Sequence, residues 1–128
     1  MNTINILLVD DEPTIRRGLR MRLELEPDLS VIGEAGDGLA AIDSARTLAP
    51  NVVLMDVEMP RMNGIDATRE LRSQVPSAAV VILSMHDDAA TQARARDAGA
   101  SAFVAKHSID GGLLDAIRRA AEGTEEVP

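Results

Sequence analysis

The hydrophobic residues of the chain are concentrated in five short apolar segments that are separated by longer stretches of mixed character. These segments are Ile4–Val9, Ser30–Ala35, Val52–Met55, Ala79–Leu83 and Ser101–Ala105. Short runs rich in Val, Ile and Leu, bounded by turn residues, are typical of strands that are buried on both faces of a parallel sheet. The pattern therefore predicts five strands.

Between and after these strands, apolar residues recur at helical spacing, and proline or glycine residues mark the boundaries. The predicted helices run over Pro13 to about Glu26, Leu39–Leu48, about Ile65–Ser73, about Asp88–Ala98 and about Ile109–Glu122. Five strand–helix units joined by right-handed crossovers give an α/β domain with helices on both faces of the sheet. We expect this domain to comprise residues 1–122. The polar segment 123–128 is expected to form a tail or the start of a linker rather than a further element.

Four of the predicted strands end at polar residues. Asp10 and Asp11 follow the first strand, while Asp56, Ser84 and Lys106 follow the third, fourth and fifth. The carboxyl ends of parallel strands line one crevice, where open α/β sheets bind ligands, so we expect these five side chains to converge. Three acids, a hydroxyl and an ammonium group in one crevice are a candidate site for phosphoryl transfer.

Composition narrows the classes of function. The 128 residues fit one domain, and Phe103 is the only aromatic residue, so the core must be aliphatic. The absence of cysteine excludes disulfides, thiolate metal sites and thiol redox chemistry.

A net charge of −8 opposes direct contact with nucleic acid, so a role at DNA would need another domain. No apolar stretch is long enough for a membrane span and no signal segment is evident, which favours a cytoplasmic protein.

The three acids form a candidate metal site. Carboxylate oxygens suit a hard cation such as Mg²⁺, for which Mn²⁺ is a possible substitute. Carboxylates clustered without a cation would repel one another. In the alternative interpretation, Asp10 and Asp11 only cap the helix that starts at Pro13. The position of Asp56 after another buried strand makes that alternative the weaker one.

Asp56 is the candidate nucleophile, because a carboxylate can form an acyl phosphate when charge on the incoming group is offset. Ser84 and Lys106 could hold phosphoryl oxygens through a hydrogen bond and a point charge. In the alternative interpretation, Asp56 is a turn residue and the other two are ordinary surface residues. Two further groups are expected to be solvated, the histidines in loops near the crevice and four arginines on helix faces. They are His86, His107, Arg94, Arg96, Arg118 and Arg119.

Five motifs, taken together and in this order, resemble the receiver domain of two-component response regulators. They are Leu7–Pro13, Met55–Gly64, Leu83–Asp88, Ala98–Ala100 and Lys106. The resemblance covers about residues 4 to 122. Within it, Ser84–Asp88 is similar to the NarL/FixJ-type subfamily, whose members usually carry a C-terminal helix-turn-helix domain of the LuxR type. On this resemblance, residues 123–128 would begin the linker to an output domain that is absent here.

The resemblance implies a flavodoxin-like (βα)5 fold with strand order 2-1-3-4-5. It implies that Asp56 accepts a phosphoryl group from a phosphohistidine of a sensor histidine kinase. Asp11 and Asp56 would bind Mg²⁺ directly and Asp10 through a water molecule, while Glu58 would contribute its backbone carbonyl. The domain would catalyse only its own phosphorylation and dephosphorylation.

The resemblance also implies how the signal leaves the site. Ser84 and Lys106 would contact the phosphoryl group, and Phe103 would change rotamer with the state of Ser84. The altered surface would control homodimerisation and transcription through the output domain. Two positions are distinctive: many receivers have a cis-bonded proline directly after the lysine, where this chain has His107, and the Glu58 side chain could approach the metal or the attacking water.

Three alternatives stay open from the residues. A phosphorylation-independent interaction module could retain the fold. A haloacid-dehalogenase-like phosphatase would use the pair Asp56 and Glu58, although it would usually place that motif after the first strand and would need a substrate cap. A flavodoxin-like cofactor carrier would need a phosphate loop rich in Ser and Thr after the first strand and a stacking aromatic.

Overall fold

The computed structural model describes residues 3–106 and 109–125. Strands and helices alternate along the chain. The strands are β1 (Ile4–Val9), β2 (Leu29–Ala35), β3 (Val52–Asp56), β4 (Ala79–Ser84) and β5 (Ala102–Ala105). The helices are α1 (Pro13–Leu23), α2 (Gly38–Leu48), α3 (Gly64–Gln74), α4 (Ala89–Ala98) and α5 (Ile109–Glu125).

The five strands form one parallel sheet in the order β2-β1-β3-β4-β5, as predicted. Alternate residues of each strand enter opposite hydrophobic cores. In β1, Leu7 and Val9 pack on the side of α2, α3 and α4, whereas Ile6 and Leu8 pack on the side of α1 and α5. Burial on both faces explains why the strands are continuous apolar runs instead of alternating ones.

Two helix ends differ from the prediction. Helix α1 ends at Leu23 rather than near Glu26, because the next residues form a tight turn in which the Glu26 N–H donates to the Leu23 carbonyl at 3.0 Å. Helix α5 continues to Glu125, so the expectation that residues 123–125 form no element is wrong. Gly123 does not end α5, since one glycine costs a helix only about 1 kcal/mol relative to alanine. Residues 126–128 lie outside the described residues.

No helix between residues 3 and 106 or between 109 and 125 combines the length and apolar character needed to cross a bilayer.

Candidate functional site

The three predicted acids converge at the carboxyl ends of β1 and β3. Asp10 and Asp11 follow β1, and Asp56 is the last residue of β3. One carboxylate oxygen from each lies within 4.8 Å of the others. Asp10 and Asp56 are buried, whereas Asp11 is exposed. Two of the three acids are therefore buried, and the third faces solvent.

Asp10 and Asp11 do not cap α1. The residue that caps this helix is Glu12, whose side chain makes no capping hydrogen bond. Asp10 instead accepts the Glu12 N–H through Oδ1 at 2.9 Å, within the turn. Arg16 of α1 also holds the turn that contains Asp10 and Asp11. It donates to the Asp10 carbonyl and pairs with Glu34 at 2.8 Å. The helix-cap interpretation is therefore wrong, and the turn presents its acids to the crevice.

Lys106 supplies the positive charge of the site. It follows β5, and its Nζ lies 3.0 Å from Asp10 Oδ2 and 3.3 Å from Asp56 Oδ1. Burial by itself would lower the pKa of Lys106, but its hydrogen bonds and charge interactions with the two acids outweigh that effect and raise the pKa. Lys106 is therefore an ammonium group at neutral pH.

Asp56 occupies an unfavourable environment for a carboxylate. Burial, followed by the negative charge of Asp10, raises its pKa to about 6, against the opposing influence of Lys106 and of the Val57 N–H. Val57 donates to Oδ1 at 2.9 Å, the same oxygen that faces Lys106. The neighbouring groups thus compensate only part of the cost of ionising Asp56.

A divalent cation fits this donor set. Three carboxylates and one ammonium leave two uncompensated negative charges, and every donor is a hard oxygen, which suits Mg²⁺. Asp10 has both oxygens engaged, one by the Glu12 N–H and one by Lys106. Asp11 and Asp56 are therefore better suited than Asp10 to bind a cation directly.

Ser84 joins Asp11 and Asp56 in a cavity of about 230 Å³. It is the last residue of β4 and is buried, and its Oγ accepts the His86 N–H at 3.0 Å. The cavity is lined by Asp11, Glu12, Asp56, Glu58, Ser84, Met85, His86 and Lys106. The structure thus brings Ser84 and Lys106 to the predicted acids.

Phe103 lies away from this cavity. It is half-buried in β5 and borders a groove between β5 and α5 as well as a smaller cavity of about 150 Å³ beside α4. Among the described side chains of α4 only Ala95 and Ala98 are buried, so few apolar contacts hold this helix. Phe103 therefore lies between the sheet and a loosely packed helix.

Sequence reasoning missed a contact across the mouth of the cavity. His86 was expected to be a solvated loop residue, but its Nε2 lies 2.6 Å from Glu58 Oε1. Both side chains remain largely exposed, at 61% and 70%. Glu58 and His86 each lie two residues after the end of a strand, β3 and β4 respectively. This equal spacing is the only feature of the sequence that indicates that the two side chains could meet. The pair links the loops that follow β3 and β4.

The loop over residues 57–63 returns tightly to the end of β3. The Gly64 N–H donates to the Val57 carbonyl at 2.8 Å, and a Cβ on Gly64 would lie 1.9 Å from the Asp56 carbonyl oxygen. No residue larger than glycine can take this position without moving the backbone that carries Asp56. The close approach explains why glycine stands at position 64.

Arg118 is not simply solvated, because it pairs with Asp28 and Glu26 at 2.9 Å and joins α5 to the turn after α1. His107 lies outside the described residues. The expectation about a cis bond after Lys106 therefore falls on a residue that the structure does not describe.

Comparison with known proteins agrees with the fold and the motifs. The family model of the response regulator receiver domain matches residues 6–118. The chain is 41% identical over 120 residues to the nitrate/nitrite response regulator NarP of Escherichia coli, covering 94% of this chain and 56% of NarP. A two-component response regulator of the LuxR family from Aurantimonas superposes with a TM-score of 0.91 at 38% identity, covering 95% and 87% of the two chains.

A second solved structure, the response regulator domain of CheB from Thermotoga maritima, has a TM-score of 0.88 at 31% identity and covers 99% of this chain and 100% of its own. The chain spans about half the length of the curated relatives it matches, with 55%, 52% and 56% of three of them covered.

Proposed function

The chain belongs to the response regulator receiver domain family, and from that premise we propose that it is a phosphorylation-dependent switch in which Asp56 accepts a phosphoryl group from the phosphohistidine of a sensor histidine kinase. One observation carries the proposal. Asp56 ends a buried strand 3.3 Å from the Lys106 ammonium and shares its cavity with Asp11 and Ser84. This arrangement can both receive a phosphoryl group and hold its oxygens.

Asp56 acts as the nucleophile through its carboxylate, which lies beside Lys106 and accepts the Val57 N–H. Attack forms an Asp56 Oδ–P bond and breaks the bond between phosphorus and the histidine nitrogen of the kinase. Lys106 places its positive charge beside the transferred group, and Ser84 offers its hydroxyl as a donor. The electrostatic positioning of these side chains favours transfer without an external acid or base.

Asp11 and Asp56 would hold Mg²⁺ directly, with Asp10 acting through water and the Glu58 backbone carbonyl facing the ion. When bound, Mg²⁺ neutralises charge on the phosphoryl oxygens during transfer. The excess of two negative charges in the cluster supports this assignment. The raised pKa of Asp56 supports it as well, because a cation would favour the ionised nucleophile.

Ser84 and Phe103 would carry the signal away from the site. Phosphorylation adds negative charge and acceptor oxygens at Asp56, which draw in the Ser84 hydroxyl. The loop after β4 then moves, and Phe103 takes the space that Ser84 leaves. The half-buried position of Phe103 beside the sparsely packed α4 supports a switch between two preexisting states.

The expected readout is homodimerisation through the surface of α4, β5 and α5, followed by control of transcription. The LuxR-family and NarP likenesses support an output domain that contacts DNA, while the net charge of −8 argues against DNA contact by this domain. On this proposal the receiver comprises the strands and helices up to the end of α5 at Glu125, an output domain would be joined to it, and the protein acts in the cytoplasm. The domain turns over no external metabolite. It catalyses only its own phosphorylation and dephosphorylation.

Intact-mass spectrometry with acetyl phosphate and Mg²⁺ tests the proposal. The expected result is one phosphoryl adduct that is absent in Asp56→Ala and in the presence of EDTA. No adduct from a folded chain that binds Mg²⁺ would support the remaining alternative, a phosphorylation-independent interaction module. Loss of Mg²⁺ binding in Asp11→Ala would count against that module. The match to the receiver family over residues 6–118 argues against the phosphatase and the cofactor carrier.

A further inference from the structure

The loop over residues 57–63 is attached to the start of α2 as well as to its own strand. The Gly38 N–H donates to the Met62 carbonyl at 3.1 Å. The Arg61 guanidinium pairs with the Asp37 carboxylate, with Nε 3.1 Å from Oδ2 and Nη2 closer still. Glu58, whose carbonyl is assigned to the metal site, lies within the same loop. The start of helix α2 thus holds the loop that follows Asp56.

Asp37 has a separate task for each of its carboxylate oxygens. Oδ1 accepts the Ala40 N–H at 2.9 Å and caps α2, while Oδ2 receives Arg61. The Ala40 N–H and then the Arg61 guanidinium hold the pKa of Asp37 below its usual range. Asp37 is buried although its partner is 65% exposed at the side chain. Asp37 is therefore the buried, hydrogen-bonded member of the pair, and the exposed Arg61 is the member that belongs to the loop.

The backbone at Arg61 is in an unusual conformation, with a φ of 67°. Residues other than glycine, asparagine and aspartate rarely adopt positive φ, because the Cβ approaches the carbonyl oxygen. An arginine at such a position keeps an unfavourable backbone conformation and gains the contact with Asp37. The outlier indicates that the side chain contributes something that a glycine in the same turn would not.

Close packing at Gly38 completes the attachment. A Cβ at Gly38 would lie 2.5 Å from the Met62 carbonyl oxygen and 2.8 Å from the Met62 Cβ. The first turn of α2 therefore touches the loop directly, beside the Arg61–Asp37 pair. Within the described residues, the other backbone hydrogen bonds of the loop are local. The Met62 N–H donates to Pro60 at 2.7 Å, the Gly64 N–H to Val57 at 2.8 Å and the Ala67 N–H to Asn63 at 3.0 Å.

We propose that Asp37 and Arg61 are positioning residues for the Mg²⁺ site, which hold the loop over residues 57–63 so that the Glu58 carbonyl lies beside Asp56 before the ion binds. The inference rests on the proposed function, since it concerns the same metal site. A loop that is already fixed need not be ordered by the ion, and this preorganisation raises affinity. Neither Asp37 nor Arg61 lines the cavity that contains Asp11 and Asp56.

The test is a Mg²⁺ titration of the full chain without phosphodonor, followed by amide chemical shifts in NMR spectra. Arg61→Gly removes the ion pair but accepts the positive φ, so the melting temperature should change little. We expect its Kd for Mg²⁺ to rise about three- to tenfold. This rise is no larger than the loss of metal affinity, about tenfold or more, that follows removal of an outer-shell partner of a metal ligand. Arg61→Lys keeps the charge without the forked geometry and should recover part of the loss.

Two further variants exclude a general effect of charge. Asp37→Asn keeps the oxygen that caps Ala40 and weakens only the Arg61 contact, so its Kd should also rise. Asp43→Asn is the matched control, because Asp43 lies on the same helix and pairs with Arg46 at 3.4 Å, away from the loop. Its Kd should equal that of the native chain.

Hydrogen exchange of the metal-free chain gives a second readout. The Gly38 amide, bonded to Met62, should exchange faster in Arg61→Gly than in the native chain, whereas amides in the middle of β1 should not change. Faster exchange together with a raised Kd supports positioning through the loop.

An unchanged Kd in folded Arg61→Gly and Asp37→Asn would overturn the inference, even if both variants were less stable. Asp11→Ala separates this failure from a failure of the proposed function. If Asp11→Ala abolishes Mg²⁺ binding and the Arg61 and Asp37 variants leave it unchanged, only the positioning role is wrong. If Asp11→Ala also leaves binding unchanged, the metal site and the inference are wrong together.

Discussion

Replacing Asp56 with asparagine should stabilise the protein in the absence of divalent cations. The substitution removes one of three clustered carboxylate charges, which the Lys106 ammonium beside Asp10 and Asp56 compensates only in part. It retains nearly the same shape and keeps an Oδ1 that can accept the Val57 N–H, now 2.9 Å away. A residue proposed as the nucleophile is thus expected to reduce the stability of the fold that carries it.

The magnitude follows from the pKa of Asp56, about 6 in the folded chain against an ordinary value of 3.8. A raised pKa means that the folded state binds the proton more tightly, so stability falls as pH rises from about 4 through 6. Two pKa units at about 1.4 kcal/mol each give an upper bound of about 3 kcal/mol at neutral pH. Solvent screening in the open cavity reduces the expected gain to about 1–3 kcal/mol.

Urea unfolding followed by circular dichroism measures this gain in EDTA at pH 7.5, at pH 4.5 and in saturating Mg²⁺. Asp56→Asn should be more stable than the native chain at pH 7.5 and should lose most of its advantage at pH 4.5. The advantage should also shrink in Mg²⁺, because the native chain then gains ligand binding. Asp43→Asn, at a side chain that is 80% exposed, should show little change. A gain that is absent at pH 7.5, or that persists unchanged in Mg²⁺, would refute the reasoning.

Three further outcomes are expected. Lys106→Met should lower the free energy of unfolding at neutral pH in urea titrations, because the raised pKa of Lys106 keeps its stabilising charge at every pH below about 10.5; unchanged stability would contradict the charge balance. Gly64→Ala should cost about 3 kcal/mol or more in thermal unfolding and reduce phosphorylation, since its Cβ meets the Asp56 carbonyl; a native-like variant would contradict the close approach. His86→Ala should shorten the lifetime of the phosphoryl adduct in mass-spectrometric time courses by opening the cavity mouth beside Glu58, and an unchanged lifetime would remove that role.

The fold was largely readable from the sequence because its strands are buried on both faces. Such strands are uninterrupted apolar runs, and proline and glycine mark the breaks between them. The predicted elements differ from the structure mainly at the ends of helices. The end of α1 depends on a turn whose Glu26 is held by Arg118, a residue far away in the sequence, and no local pattern shows that pairing.

The site was predictable to the extent that its residues end strands. Asp56 and Ser84 are the last residues of β3 and β4, so the topology alone brings them together. Contacts between loops were not predictable in this way. The pairs Glu58–His86 and Asp37–Arg61 join loop or cap residues from different parts of the chain, and their geometry depends on backbone turns that residue type does not fix.

The most direct test of the central claim locates the phosphoryl group on one residue. After incubation with acetyl phosphate and Mg²⁺, borohydride reduces an acyl phosphate to an alcohol, so a phosphorylated aspartate becomes homoserine and is identified in a peptide by mass spectrometry. We expect homoserine at position 56 only when both Mg²⁺ and acetyl phosphate are present. Homoserine at position 10 or 11, or at no position in a folded chain that binds Mg²⁺, would contradict the assignment of Asp56 as the phosphoryl acceptor.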